Sequence, residues 1–206
     1  MSASPSQETD PDANAGAPPA GKRQAAAAET RQRLVDAGLR LAEQTGLMGL
    51  SVNLVVDEAG VSKGTFFHHF GDRSSYVIGL HREFHDRLFD RMRAAMRGLE
   101  PGADRLDAIA GTYLDTCLER RGVRALLLEA RADPQIAEEI VARNTASAAE
   151  VLDDFRALGW PDPEQTARLW VGLVAEVALL EHAASRRDTK LRRALTQLTR
   201  RTAPTG

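Results

Sequence analysis

Lys63, Gly64 and Thr65 stand consecutively in the chain, with His68 and His69 about a helical turn further on and Arg73 beyond them. An ammonium, a bare stretch of backbone and a hydroxyl side by side suit contact with a polyanion. Lys63 can meet a phosphate or a guanine edge, Gly64 lets a backbone come close to DNA, and Thr65 can donate to a phosphate or touch a thymine methyl. His68 and His69 add polar donors, and Arg73 adds a cation. Such side chains act together only if a rigid element presents them, and the flanking residues predict one. Val52, Val55, Val56 and Ala59 fall at i, i+3, i+4 and i+7, the apolar stripe of a short helix with Ser51 at its N-cap. Gly60 suits the positive φ of a sharp helix-ending turn, Ser62 can cap a second helix, and Gly64 and Gly71 keep that helix short. Asp72 is placed to cap a third, long helix.

Helix, tight turn, helix is the pattern of a helix-turn-helix, whose second helix lies in the major groove of DNA. The candidate DNA-binding residues are therefore Ser51, Ser62, Lys63, Gly64, Thr65, Phe67, His68, His69 and Arg73. The run Ala59-Gly60-Val61-Ser62-Lys63-Gly64-Thr65-Phe66-Phe67-His68-His69-Phe70 resembles the DNA-binding signature of the TetR family of bacterial transcriptional regulators, and the resemblance covers residues 30–80. Two positions depart from the family pattern. Phe67 replaces a common tyrosine, removing a phosphate contact worth about 1 kcal/mol per subunit. Arg73 replaces a common lysine, which keeps the charge and changes its geometry. The resemblance implies an all-α fold: an N-terminal three-helix helix-turn-helix DNA-binding domain and a C-terminal helical ligand-binding and dimerisation domain. The expected divisions are a disordered tail over residues 1–21, the DNA-binding domain over 22–72 and the second domain over 73–206.

With 206 residues, 43% apolar and 27% charged, the chain has the composition of a globular protein able to bury a sizeable core. No apolar run is long enough to span a bilayer and no signal segment follows Met1, so a cytoplasmic protein without a membrane partner is expected. The single cysteine, Cys117, excludes an intrachain disulfide and reads first as a small buried apolar residue. A net charge of −2 argues at first against nucleic acid, yet residues 60–98 carry seven Lys/Arg against four Asp/Glu. DNA requires a local basic surface rather than a basic protein. Residues 1–21 hold four prolines and no aromatic residue, too little apolar surface to offset ordering entropy. Lys22 and Arg23 follow, able to reach a phosphate backbone or to remain solvated.

Leu34, Val35, Ala37, Leu39, Leu41 and Ala42 predict a helix over residues 24–44, ended by Gly46. Over residues 72–98 a single helix about 39 Å long is expected, with Val77, Leu80, Phe84, Leu88 and Met92 along one side. It joins the DNA-reading end to the remainder. His81 and His85 have i, i+4 spacing, but His-Arg-Glu-Phe-His lacks the acidic second residue of the zinc-protease motif and no other ligand cluster stands out. The expectation is a solvated or phosphate-facing pair, with no metal and no cofactor.

Beyond Pro101 and Gly102 the spacing predicts a helix ended by Gly122, further helices over residues 123–131 and 134–158, another opened by Pro163, and a last one over 188–201. Between Leu169 and Leu180 only Gly172 and Glu176 interrupt an apolar run, so more than one face must be covered, most simply by a second subunit. Leu191, Ala194, Leu195 and Leu198 repeat at i, i+3, i+4 and i+7 in the last helix, which suits an intersubunit four-helix bundle. The predicted dimer interface is Leu173, Val177, Leu180, Leu191, Leu195 and Leu198, and the family resemblance implies the same two-helix interface. Tyr113, Cys117, Phe155 and Trp170 lie mid-helix as candidate ligand-binding residues of a mostly apolar cavity, which hints at a hydrophobic or aromatic effector.

The chain has no P-loop, no dinucleotide fingerprint and no Gly-x-Ser-x-Gly elbow, so the sequence does not point to an enzyme. A helical interaction scaffold would explain the amphipathic helices, but not why Lys63, Gly64 and Thr65 follow a glycine turn. The expected protein is a homodimeric, ligand-responsive repressor whose partners are double-stranded operator DNA and a small-molecule effector.

Overall fold

A computed structural model describes residues 20–200, and no strand occurs among them. The expected disordered tail, residues 1–21, lies outside the described residues except for its last two positions. Helix α1 (Ala20–Gly49) turns Leu34, Val35, Ala37, Leu41 and Ala42 into the core. It runs through Gly46, where its end was expected. A glycine costs a helix only about 1 kcal/mol, and the break comes instead at buried Leu50. Helices α2 (Val52–Ala59) and α3 (Lys63–Phe70) follow. Ser51 Oγ accepts from Leu54 N–H at 3.3 Å and Ser62 Oγ from Thr65 N–H at 3.1 Å, so each hydroxyl caps its helix. Gly60 adopts φ +65°, the left-handed conformation a glycine takes without strain. Helix α4 (Arg73–Ala95) starts at Asp72, whose carboxylate accepts from Ser75 N–H at 2.7 Å.

One aromatic knot joins these helices. The rings of Phe66, Phe70 and Tyr76 lie 4.8 to 5.6 Å apart, and Tyr76 Oη donates to the Leu34 carbonyl at 2.7 Å. Gly38 on α1 makes room for that phenol: a Cβ there would sit 2.0 Å from Tyr76 Oη.

The remaining helices are α5 (Ala103–Glu119), α6 (Arg121–Glu129), α7 (Pro134–Glu150), α8 (Leu152–Ala157), α9 (Pro163–Ala184) and α10 (Thr189–Arg200), with a 3-10 turn (Ala130–Ala132) between α6 and α7. Gly122 does not end α5, as its position suggested. It lies in the first turn of α6, where α6 crosses α1 so closely that a Cβ would be 2.3 Å from Glu43 Cα. Its N–H donates to Glu43 Oε2 at 2.9 Å. The helix expected over residues 134–158 is broken at Val151, which separates α7 from α8. Beyond that break Asp154 is fully buried and accepts from Gly102 N–H at 2.8 Å and from Arg105 Nε and Nη2, both at 2.7 Å. A second buried pair closes the other end of the bundle. Glu181 on α9 accepts from Arg192 Nε and Nη2 on α10, again at 2.7 Å each.

Replacing Gly38 by Ala should therefore destabilise the fold by about 2–3 kcal/mol in urea titration, as overpacking of a filled core does. In the Gly38→Ala background, Tyr76→Phe should cost less than it does in the wild type, because it removes the atom the new methyl strikes.

Candidate functional site

The turn after α2 leaves the N-terminal end of α3 at the surface. Ser51, Ser62, Lys63, Gly64 and His68 are exposed, Phe67 is half-exposed against Phe66, and Thr65 and His69 are partly covered. Ser62 Oγ and Thr65 Oγ1 are hydrogen-bonded to each other at 2.9 Å, either hydroxyl able to donate, which fixes Thr65 beside Lys63. Gly64 has no packing reason to be glycine: a Cβ would meet only Ser62 Oγ, at 3.6 Å, an ordinary contact. Burial, then His68 and Arg31, hold the His69 imidazole below its ordinary pKa. Arg73 bridges back to the Leu50 carbonyl at 3.3 Å, so it also fastens the start of α4 to the entrance of α2. Leu54, exposed on α2, was not singled out by its spacing, because an outward leucine in a short amphipathic helix carries no periodic signal.

The charge excess over residues 60–98 is exposed but is not presented as one unpaired block. Arg82 pairs with Glu139, Arg87 with Asp36 and Glu83, Arg91 with Glu119, and Arg93 with Asp90 and Glu150. The cations near the α3 end include Lys63 and, from α1, Arg31, whose guanidinium lies 4.9 Å from the Phe70 ring centre.

A cavity opens among α4, α5, α6, α7 and α9. Leu88, Met92, Ile109, Trp170 and Val174 give it an apolar wall, and His81, His85, Tyr113, Arg124, Arg131 and Arg143 a polar one. Its volume is about 80 Å³. Of the four candidate ligand residues, Tyr113 and Trp170 line it. Cys117 and Phe155 do not: both are buried, with Cys117 hydrogen-bonded to Tyr113 and Phe155 packed edge-on to Trp170 and Trp160. Burial pushes the Cys117 thiol and the Tyr113 phenol above their ordinary values.

The histidine pair overturns its expectation. His81 is buried, His85 is partly covered, and their rings stand 4.4 Å apart on the cavity wall rather than in solvent. Burial first, then Arg143, pushes His81 down to about 4, while burial and His81 hold His85 well below 6.5. The missed signal was present: residues 81, 85, 88 and 92 form one helical stripe, so the histidines share a face with Leu88 and Met92. Arg124, Arg131 and Arg143 gave no such signal, since α6 and α7 meet α4 only through tertiary packing. No group of three or more His, Cys, Asp or Glu able to hold a metal occurs among the described residues.

Residues 34–75 match the family model described as bacterial regulatory proteins, tetR family. The HTH-type transcriptional regulator UidR of Escherichia coli (strain K12) is 24% identical over 161 residues, 73% of this chain and 80% of UidR. The HTH-type transcriptional repressor KstR2 of Rhodococcus jostii (strain RHA1) is 34% identical over 83 residues, 40% of each protein. A transcriptional regulator from Rhodococcus sp. Rha1 superposes with a TM-score of 0.70 at 27% identity, over 81% of this chain and 92% of that one. The multidrug binding protein EbrR, solved with imidazole, gives 0.64 at 26%, over 85% and 98%. The chain belongs to the TetR family. It is thus a helix-turn-helix transcriptional regulator and not an enzyme.

In this TetR-family chain the six leucines and valines predicted for a dimer interface divide in two. Leu173 and Leu180 are each 44% exposed and Leu198 is 46% exposed, whereas Val177 and Leu195 are buried in the subunit's own core and Leu191 packs partly against it. Leu169, 70% exposed, extends the outward stripe of α9. No described helix is long and apolar enough to cross a membrane.

Two stability measurements follow from this geometry. Gly64→Ala should raise the unfolding free energy of the TetR-family chain by about 0.4–1 kcal/mol in thermal or urea melts, since nothing in the fold opposes the methyl. An unfolded chain protonates histidine near pH 6.5, whereas folded His81 resists to about 4. The pair's contribution is thus full above pH 6.5 and lost as pH falls toward 4. His81→Leu should flatten the stability profile across that window.

Proposed function

We propose that the chain is a homodimeric repressor that binds operator DNA through α3 and is released from it by a small molecule held in the cavity. One observation carries the reading. Helix α4 begins directly after the exposed α3 and, further along the same rod, supplies His81, His85, Leu88 and Met92 to the cavity wall. A ligand that binds better to one placement of α4 than to another must change where α3 stands, and only that difference in affinity can release DNA.

In this reading the whole candidate set, Ser51, Ser62, Lys63, Gly64, Thr65, Phe67, His68, His69 and Arg73, belongs to the DNA face. Lys63 and Thr65 meet phosphates or base edges, and Gly64 is kept bare so that the α3 backbone can approach the duplex. Two copies occupy half-sites about 34–36 Å apart, one turn of B-DNA. The outward stripe of Leu169, Leu173 and Leu180 on α9, with Leu198 on α10, supports pairing of subunits through these helices. Val177 and Leu195 contribute by holding α9 and α10 together from within. The ligand site comprises Tyr113 and Trp170, with Cys117 and Phe155 behind the wall. The likeness to EbrR, a multidrug binding protein, and to KstR2, a repressor, supports both halves of the proposal. The site of action is the cytoplasm, where the operator is.

Lys63→Ala combined with Thr65→Ala is expected to abolish the specific complex with intergenic DNA beside the gene in a gel shift at moderate salt, with the circular dichroism unchanged. Wild-type retention by that folded variant would sink the assignment. Gly64→Ala, the stabilising change, should weaken the same complex at least tenfold, and wild-type affinity should fall steeply with salt. For the dimer, Leu173→Glu with Leu180→Glu should sediment as a folded monomer; a wild-type monomer at micromolar concentration would defeat the dimer.

A further inference from the structure

Several arginines in the second half of the fold are largely buried, and two of them show how this chain satisfies such a group. Arg105 and Arg192 each present the Nε and Nη2 edge to a fully buried carboxylate, Asp154 and Glu181, with both bonds at 2.7 Å. Arg124 is more buried than either, at 3% exposure, and its Nε and Nη2 have no hydrogen-bond partner. It lies on the cavity wall. The carboxylate on that wall does not answer it: Glu150 is engaged by Arg93 at 3.4 Å, while Arg143, paired with Asp86 at 2.9 Å, is a further cation. Arg131, on the same wall, adds positive charge, and burial followed by the charge of Arg124 lowers its pKa. Three further buried donors or acceptors on the wall, Arg143 Nε, His81 Nδ1 and Trp170 Nε1, also lack partners.

We propose that the effector is an amphipathic carboxylate, whose headgroup takes on the Nε/Nη2 edge of Arg124 the place that Asp154 and Glu181 take on the other two arginines. The planar fork of a guanidinium matches a carboxylate in two parallel bonds, and a desolvated fork of this kind gains most from a charged acceptor. The apolar body of the ligand lies against Met92, Ile109, Trp170 and Val174, so a small hydrophilic acid would leave half of the wall unused. This specificity deepens the effector reading above and rests on it.

The test uses the full-length protein and matched pairs of probes: octanoate with octanamide, and 3-phenylpropionate with its amide, by calorimetry and thermal shift. At least one acid should bind the wild type tenfold or more tighter than its amide. Arg124→Gln should erase that preference while leaving the amide's binding as it was, and Arg124→Lys, which keeps the charge and loses the fork, should recover only part of it. Arg124→Met should melt no lower than the wild type, because it removes an unpartnered buried charge; a lower melting temperature would mark Arg124 as a structural group. Equal binding of acids and amides, or binding by none of the acids, overturns the proposal. Release of operator DNA by a neutral compound would overturn the carboxylate while leaving the regulator intact. Failure of the wild type to bind operator at all would remove the regulator reading, whichever probe binds.

Discussion

The hydroxyl of Tyr76 is the fixed point of the DNA-facing half. Helix α3 has eight residues, too few to hold a helical shape in water by itself. Its shape and direction are imposed from behind. Phe66 and Phe70 leave α3 on the inner side and close on the Tyr76 ring of α4, while the Tyr76 hydroxyl reaches the α1 backbone at Leu34. The vacancy opposite, at Gly38, lets the phenol come that close. Three helices are thereby set at one junction, and the side chains on the far side of α3 inherit their positions from it. Ser62 and Gly60 fix the local turn, but without the aromatic junction they would fix it on a helix free to tilt.

Two routes connect this junction to the cavity, and they differ in kind. Along α4 the connection is a continuous helix, stiff over its 23 residues. Between α6 and α1 it is a surface contact, made close by the absence of a side chain at Gly122 and pinned by the Gly122 N–H bond to Glu43. Arg124 lies two residues beyond that contact. A displacement of α6 by the group that engages Arg124 is thus pressed on α1, the helix that holds Tyr76, while a displacement of α4 moves the Tyr76 ring itself. Ser74 adds a third, lighter tie, donating to Asp133 at 2.6 Å where α7 begins. The helices around α3 are therefore packed on the rest rather than strung from it.

What could be read from the sequence was local. Caps at Ser51, Ser62 and Asp72 and the left-handed turn at Gly60 all depend on residues within one or two turns of each other, and periodicity with capping chemistry finds them. Glycine was ambiguous: the same residue type makes a positive φ at Gly60, a bare surface at Gly64, room for a phenol at Gly38 and a helix crossing at Gly122. Only the first is signalled by neighbours in sequence; the last two are decided by helices 38 and 79 residues away. The cavity was illegible for the same reason. An arginine in an amphipathic helix reads as solvated until the helix opposite is known, and His81 and His85 read as a surface pair although their stripe coincides with that of Leu88 and Met92. The leucines of α9 show the limit from the other side. The apolar run implied that two faces are covered, but not which residue belongs to which, and Val177 and Leu195 went to the chain's own core.

A buried guanidinium without a counter-charge costs a fold several kcal/mol, against a total stability of about 5–15 kcal/mol for a domain. The cost is not forced on this chain by its architecture, since Arg105 and Arg192 occupy comparable positions with their carboxylates supplied. On the proposal made for Arg124, the matching carboxylate comes from the ligand, and the cost of burying the guanidinium is offset when that ligand binds. That places the largest change in interaction energy on α6, next to the contact with α1, rather than on the apolar wall. An apolar body alone would favour whichever conformer is tightest around it, with little preference for where α6 lies. A fixed charge pair is directional, so it distinguishes conformers that differ by a small shift of one helix. A coupling free energy of about 1–3 kcal/mol is what allosteric release requires, and one charge-assisted pair in a desolvated site is enough to supply it.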